Sequence, residues 1–378
     1  MGGLDERGRD MTDIPTIYEV AQDRMTGPER MQALLTPGVK PDRVPFVPFI
    51  FGFTTKNTGW DKADVYRDPV KSFVAQMRAV EQYGYDGGAL YGYASAGAWE
   101  FGGEIKFPTG EWDQAPTVTR FPVETEDDVD KLRVPDDIMS AGAVPIMYEF
   151  AKMQDTAGMP ITVQMGSCFT CAGNAVEPST LLKWMIRKPD LAHHLIGLQR
   201  DFFLKLAEKW VELFPGRMIM GFDGGPTEAN ALISPKQFEE FALPYAREVH
   251  EKALAMGITH FHTHSCGEQN GNLELYRQME YGQPGGPPGM MSFGHEVDLT
   301  RAIEVMGDKV IIMGNVEPAE IQMGSAERVW ELTKTAVLKG KDAPLGYVLM
   351  AGCEVPVDAP PYNIFTMLKA AKHFGRYD

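Results

Sequence analysis

Three things are scarce in this chain. No apolar run approaches the roughly 18 residues a membrane-spanning helix needs, and the opening MGGLDERGRDMTDIP is charged, unlike a signal peptide or an anchor. Met11 is an alternative start, and the expected location is cytoplasmic. Basic charge is short too: 36 Lys plus Arg stand against 52 Asp plus Glu, a net charge of −16, which argues against binding nucleic acid. Only 4 cysteines occur in 378 residues. That excludes a disulfide framework and leaves thiols free for metal or chemistry.

What is present is an alternation of apolar runs and helical stretches, in a chain 44% hydrophobic. The pattern predicts a helix over Gly27 to Leu35 and a first strand over Val44 to Ile50. A helix follows over Pro69 to Gly84, with apolar residues spaced by three and four, and then a second short strand in GGALYGYA. Trp99 to Pro122, rich in glycine, proline and aromatics, reads as a hairpin-type insertion covering one mouth of the fold. Six further strands are expected at Pro160 to Gly166, Arg217 to Asp223, Ile258 to His264, Met290 to Val297, Val310 to Val316 and Gly346 to Gly352. The clearest helices between them are Leu191 to Leu213, Pro235 to Met256 and Ala326 to Lys339. Eight strands that are near-continuously apolar and mostly followed by helices indicate an α/β fold, a (β/α)8 TIM barrel with an N-terminal extension and an insertion after the second strand. Residues 1–26 form the extension and residues 27–378 the single barrel domain. The 22 methionines read mainly as core filler.

Chemistry concentrates in ITHFHTHSCG. His260, His262 and His264 alternate along an extended segment and share one side, and Cys266 continues that side before the turn-forming Gly267. An imidazole and a thiol two residues apart at a strand end make half of a zinc site. Cys353, where GYVLMAGCEVP reaches its glycine, supplies a third ligand, and the set leaves an open fourth position. Taken singly, each of the three also fits an ordinary buried residue. Such barrels carry their sites at the C-terminal strand ends, where His264, Cys266, Cys353, Asp223, Asn315 and Glu317 all fall. Asp223, flanked by glycines in MGFDGG, is expected to be a functional carboxylate, and Glu354 either an acid beside the metal, a fourth ligand, or a helix-capping or surface residue. His260 and His262 are either partners of the metal ligands, proton carriers, or satisfied barrel-interior residues. Cys168 and Cys171 form a C-x-x-C that reads more simply as small thiols lining the mouth than as a redox or second metal motif. Tyr91, Tyr93 and Trp99 are candidates to wall a pocket for a flat ligand, with plain aromatic packing under the insertion as the default reading.

The order GPERMQALL, KPDRVPF, SCFTCAGN, HSCG, MGNVEP and GCEVPVDAPPYNI resembles the uroporphyrinogen decarboxylase superfamily. More narrowly it is similar to the branch of zinc-dependent corrinoid methyltransferases, which includes methylcobalamin:coenzyme M methyltransferases and the methyltransferase components of O-demethylases. The resemblance runs from about Gly27 to the C-terminus and places the family's zinc triad on His264, Cys266 and Cys353. It implies transfer of a methyl group between a small O- or S-methyl compound, with a slight preference for an aryl methyl ether, and the cobalt of a corrinoid (cobalamin). A thiol acceptor is the alternative. No D-x-H-x-x-G cobalamin motif is present, so the corrinoid arrives on a partner protein. Asp223, Glu354 and His262 are then the expected catalytic residues, and Asn174, Tyr91 and Tyr93 the expected contacts to the corrinoid. A homodimer is left open. The chain departs from the decarboxylases where their arginine-rich stretch would fall, here FIFGFTTKNTGW, which makes a decarboxylase reading weaker. A non-catalytic tetrapyrrole-binding scaffold is the third reading.

Overall fold

The computed structural model describes residues 20, 22–110 and 113–377. Most of the expected N-terminal extension, with Met11, lies outside the described residues. The first helix, Gly27–Leu35, starts on a capping box in which Thr26 and Glu29 satisfy each other's backbone N–H groups.

An antiparallel hairpin of β1 (Glu104–Lys106) and β2 (Thr117–Arg120) forms the expected insertion. Its loop is tied to the chain beyond the last strand, since the Val357 N–H donates to Gln114 Oε1 at 3.1 Å. The remaining strands are β3 (Ile161–Gln164), β4 (Ile219–Gly224), β5 (His260–Ser265), β6 (Met290–Phe293), β7 (Ile311–Val316) and β8 (Tyr347–Ala351). They pair in parallel in that order. Every residue of β3, β5, β6 and β8 is buried, as expected for strands covered on both faces.

The first two expected strands complete the barrel without forming ladders. Pro45 and Pro48 remove two donors from VPFVPFI, so the segment pairs with β8 only locally. The Val47 N–H donates to the Leu349 carbonyl at 3.0 Å, and the Leu349 N–H to the Pro45 carbonyl at 2.8 Å. In GGALYGYA the glycines permit close packing: a Cβ on Gly87 would stand 2.6 Å from Val47 Cγ1. Side-chain amides replace the ladder here. Gln76 exchanges two hydrogen bonds with the Leu90 backbone, and Gln164 exchanges two with Tyr93. Gln154 joins the Ala89 carbonyl to the Thr162 N–H, bridging the second segment to β3. The fold is thus the expected (β/α)8 arrangement, with six regular strands and two irregular ones.

The helix expected over Pro235 to Met256 is two, Pro235–Phe241 and Leu243–Met256. Pro244 sits at the start of the second, where its missing N–H and ring favour a new helix start over a continued turn. Among the described residues no helix is long and apolar enough to cross a membrane.

Candidate functional site

β5 and β8 lie on either side of β6 and β7, and their C-terminal ends bring His264, Cys266 and Cys353 together. One ligand atom from each lies within 4.8 Å of the others. Gly267, at φ +72°, makes the turn that ends β5 and holds Cys266 back toward the barrel. Cys266 Sγ is 2.8 Å from His264 Nε2 and 3.2 Å from Cys353 Sγ. The two sulfurs are close enough for one thiol to donate to the other. The hydrogen bond from Cys266, with burial opposing and His264 assisting, takes Cys353 down to about 4; the same bond and burial push Cys266 up. A thiolate beside an imidazole is the donor set zinc prefers. With Zn–S bonds of about 2.3 Å and Zn–N of about 2.0 Å, tetrahedral ligands stand roughly 3.5 to 3.8 Å apart, so the two contacts of Cys266 would need to open by about 0.6 to 0.7 Å. The residues fit the metal.

Ser292, in the middle of β6, supports the imidazoles. Its Oγ lies 2.8 Å from His264 Nδ1 and 2.9 Å from His262 Nε2. The register aligns it, because Ser292 pairs with His264 across β5 and β6. Burial pushes His262 down to about 3 and His260 to about 4, so both are neutral at physiological pH and His262 sits one hydrogen bond behind the cluster.

The cluster opens on a cleft enclosing about 710 Å³, open solvent included. Phe49, Phe51, Phe222 and Tyr93 form an aromatic wall, with the Phe49 ring 5.1 Å from the His264 ring and 5.8 Å from Phe222. Asp223 and Glu354 also line it. Glu354 Oε1 accepts from the Gly52 N–H and the Tyr66 hydroxyl, both at 3.2 Å. Burial, reinforced by the Cys353 thiolate, pushes Glu354 up to about 8, so it is mostly a neutral acid at pH 7. Asp223 Oδ2 is 2.8 Å from Nε2 of the fully buried His250.

The other expected site residues are dispersed. Tyr93 lines the cleft and donates to Glu100, whereas Tyr91, bonded to the Tyr66 carbonyl, stands behind it. Asn174 spends its amide on the Ala94 and Ala96 carbonyls, clamping the loop before the insertion. Trp99 packs edge-on against Phe107, within the insertion. Asn315 holds the Gly294 and Val297 carbonyls. Cys168 and Cys171 lie buried in the helix Cys168–Ala175; burial pushes both thiols well up, and neither joins the three-donor cluster. Ser292 and His250 escaped the sequence reading. Each carried a signal, as Ser292 is the lone polar residue of MMSF and His250 falls beside Val249 on the apolar face of its helix.

Comparison with known proteins bears on the family and the fold. The family model described as Uroporphyrinogen decarboxylase (URO-D) matches residues 27–374. The chain is 24% identical over 278 residues to a methylated-thiol:coenzyme M methyltransferase of Methanosarcina mazei, covering 71% of this chain and 69% of the relative. It is 23% identical over 270 residues to the methylcobamide:CoM methyltransferase MtaA of Methanosarcina barkeri, covering 70% and 74%. A uroporphyrinogen decarboxylase of Myxococcus xanthus is 23% identical over 238 residues, covering 61% and 64%. A solved methyltransferase from Methanosarcina mazei superposes with a TM-score of 0.75 at 22% identity, covering 92% of this chain and 98% of that one, a likeness of fold.

Proposed function

This chain belongs to the uroporphyrinogen decarboxylase family, and we propose that within it the protein is a zinc- and corrinoid-dependent methyltransferase. It moves a methyl group between a small O- or S-methyl compound and the cobalt of a corrinoid carried by a separate protein. One observation carries the reading: an imidazole and two thiols converge at the mouth of an aromatic cleft. Relatives named as methylcobamide:CoM and methylated-thiol methyltransferases support it.

His264, Cys266 and Cys353 hold the metal, and the cleft side remains open to the small molecule. A bound zinc supplies Lewis acidity, stabilising the oxygen or sulfur of the small molecule as an anion when it gives up or receives the methyl group. Ser292 fixes the His264 ring so that Nε2 faces the sulfurs. Glu354, neutral at pH 7, can donate a proton toward the heteroatom that leaves. Phe49, Phe51 and Phe222 exclude water and position an apolar body, which favours an aryl methyl ether as donor over a small charged thiol. Tyr93 lies on the wall where a flat macrocycle would enter, and Tyr91 and Asn174 support it from behind. The protein works in the cytoplasm.

The decarboxylase reading has less support. Among the described residues, no Lys or Arg lines the cleft, so the several carboxylates of a uroporphyrinogen would meet aromatic rings and acids. The deciding experiment is elemental mass spectrometry on untagged protein, wild type beside Cys353→Ser. About one zinc per chain, lost in the variant, is the expected result, followed by Co(I)-dependent demethylation of methoxylated aromatics. Freshly purified wild type without zinc overturns the proposal.

A further inference from the structure

The Asp223–His250 pair admits only certain proton arrangements. His250 Nδ1 lies 2.7 Å from the Glu280 carbonyl, and a carbonyl can only accept, so Nδ1 carries a proton. At 2.8 Å from Asp223 Oδ2, Nε2 then faces a carboxyl oxygen with a second proton between them. Either the imidazole is doubly protonated and Asp223 is a carboxylate, or Asp223 is protonated and donates. In both arrangements the pair is neutral overall and Oδ2 is committed. The ring is held in place, stacked on Phe261 with centroids 3.7 Å apart and planes 11° apart, and met edge-on by Tyr281.

That leaves Asp223 Oδ1. It is buried and has no hydrogen-bond partner among the described residues, on a residue that is 7% exposed and lines the cleft. A buried acceptor without a donor is costly and rarely retained without use. Nearby polar groups on this wall are engaged: both atoms of the Gln164 amide bind the Tyr93 backbone, and Glu354 Oε1 holds Gly52 and Tyr66. With no Lys or Arg among the described lining residues, an anionic group has no counter-charge in the cleft. A donor has a ready acceptor in Asp223 Oδ1.

We propose that Asp223 Oδ1 is the subsite that reads the polar end of the small-molecule substrate. It selects a neutral or cationic hydrogen-bond donor, a hydroxyl or an ammonium, over an anionic tail, with His250 as the positioning residue that fixes the carboxyl group. The inference rests on the reading of this cleft as the place where zinc binds a small thiol or ether, and it adds which class of molecule enters.

The test is isothermal titration calorimetry of the zinc-loaded protein with four thiols that share one anchor and differ in their tails. These are ethanethiol, 2-mercaptoethanol, 2-aminoethanethiol and 2-mercaptoethanesulfonate. We expect the hydroxyl and ammonium thiols to bind at least about fivefold more tightly than ethanethiol, and the sulfonate more weakly. Asp223→Ala should erase these preferences and leave ethanethiol unchanged. Asp223→Asn should keep the fold, because its amide N–H can donate to His250 Nε2 while its Oδ1 still accepts; it should retain the preference for the hydroxyl thiol. His250→Phe, which keeps the stack on Phe261, should reduce discrimination among the tails without changing ethanethiol affinity. Ethanethiol binding as tightly as the donor thiols in wild type overturns the subsite alone, as does a sulfonate bound best. Unchanged discrimination in His250→Phe overturns the positioning role. Failure of ethanethiol to bind overturns the zinc–thiol reading beneath both.

Discussion

At the N-terminal ends of the strands, Arg30 and Arg43 are buried with Asp42 and Asp86, and every charge meets its opposite. Arg30 Nε is 2.7 Å from Asp42 Oδ1, Arg43 binds Asp86 Oδ2 at 2.7 Å, and Asp86 also takes the Phe46 N–H at 2.7 Å. At the C-terminal ends the buried acids Glu354 and Glu228 have no such partners. Glu354 takes its hydrogen bonds from the Gly52 N–H and the Tyr66 hydroxyl, and Glu228 from the hydroxyls of Ser167 and Tyr276. Burial therefore pushes Glu228 up to about 7 and Glu354 to about 8. Paired ions satisfy one another and hold a fold. Buried acids without cations hold their protons to higher pH instead.

The largest expected effect breaks the paired end. Asp86→Ala leaves two buried guanidiniums short of an anion and frees the Phe46 N–H that anchors the first irregular strand. Removing one partner of a buried ion pair costs about 3–5 kcal/mol, read as the urea midpoint at constant slope. Zinc bound per folded chain should not change. A loss below about 1 kcal/mol would mean that the arginines are satisfied without Asp86, and the contrast between the ends would fail.

The unpaired end should show itself through pH. The folded chain holds a proton on Glu228 up to about 7, whereas an unfolded glutamate releases it near 4.5. Its contribution to stability is therefore complete below the unfolded value and falls as pH rises toward 7, by up to about 3 kcal/mol. Glu228→Gln should remove that share of the slope in metal-free protein, measured as Tm between pH 5 and 8.5. His260 and His262, held neutral by burial, act in both proteins and cancel in the difference. Parallel pH profiles for wild type and variant would show that Glu228 does not hold its proton.

How much of this was legible beforehand follows from how local each signal is. The period-two alternation of ITHFHTHSCG places His264 and Cys266 on one side of one strand, because strand geometry fixes it within a few residues. Cys353 could be joined to them because few thiols exist and its apolar run ends as a strand should. The irregularity of the first two strands is only half legible: the prolines of VPFVPFI deny a full ladder, but nothing local says what replaces it. The replacements, Gln154 and Gln164, bond to segments that only the folded chain brings near. The pairing of His250 with Asp223 is of the same kind: 27 residues separate them, and nothing in the spacing joins a helix position to a strand end. Among the residues expected to touch the corrinoid, Tyr93 lies on the cleft, while Asn174 was singled out by its motif and spends its amide on loop carbonyls.

The smallest effect sharpens the comparison by separating the metal from the fold. Ser292 has one hydroxyl proton and two imidazole neighbours. If His264 gives its Nε2 lone pair to the metal, its Nδ1 keeps a proton and donates to Ser292 Oγ, and the Ser292 proton turns to His262 Nε2, which accepts because burial keeps that ring neutral. Ser292→Ala removes both bonds, freeing the His264 ring to turn and lowering the basicity of its ligating nitrogen. Loss of such an outer partner weakens metal affinity about 10- to 100-fold, measured by competition with a chromophoric zinc chelator. Ser292→Thr keeps the hydroxyl and suits a strand, so it should restore most of that affinity. Metal-free stability should fall by about 1–3 kcal/mol, less than in Asp86→Ala because no charge is left unpaired. If the alanine variant binds zinc within twofold of wild type, the hydroxyl does not orient His264, and the cluster is organised by Cys266 and Cys353 alone.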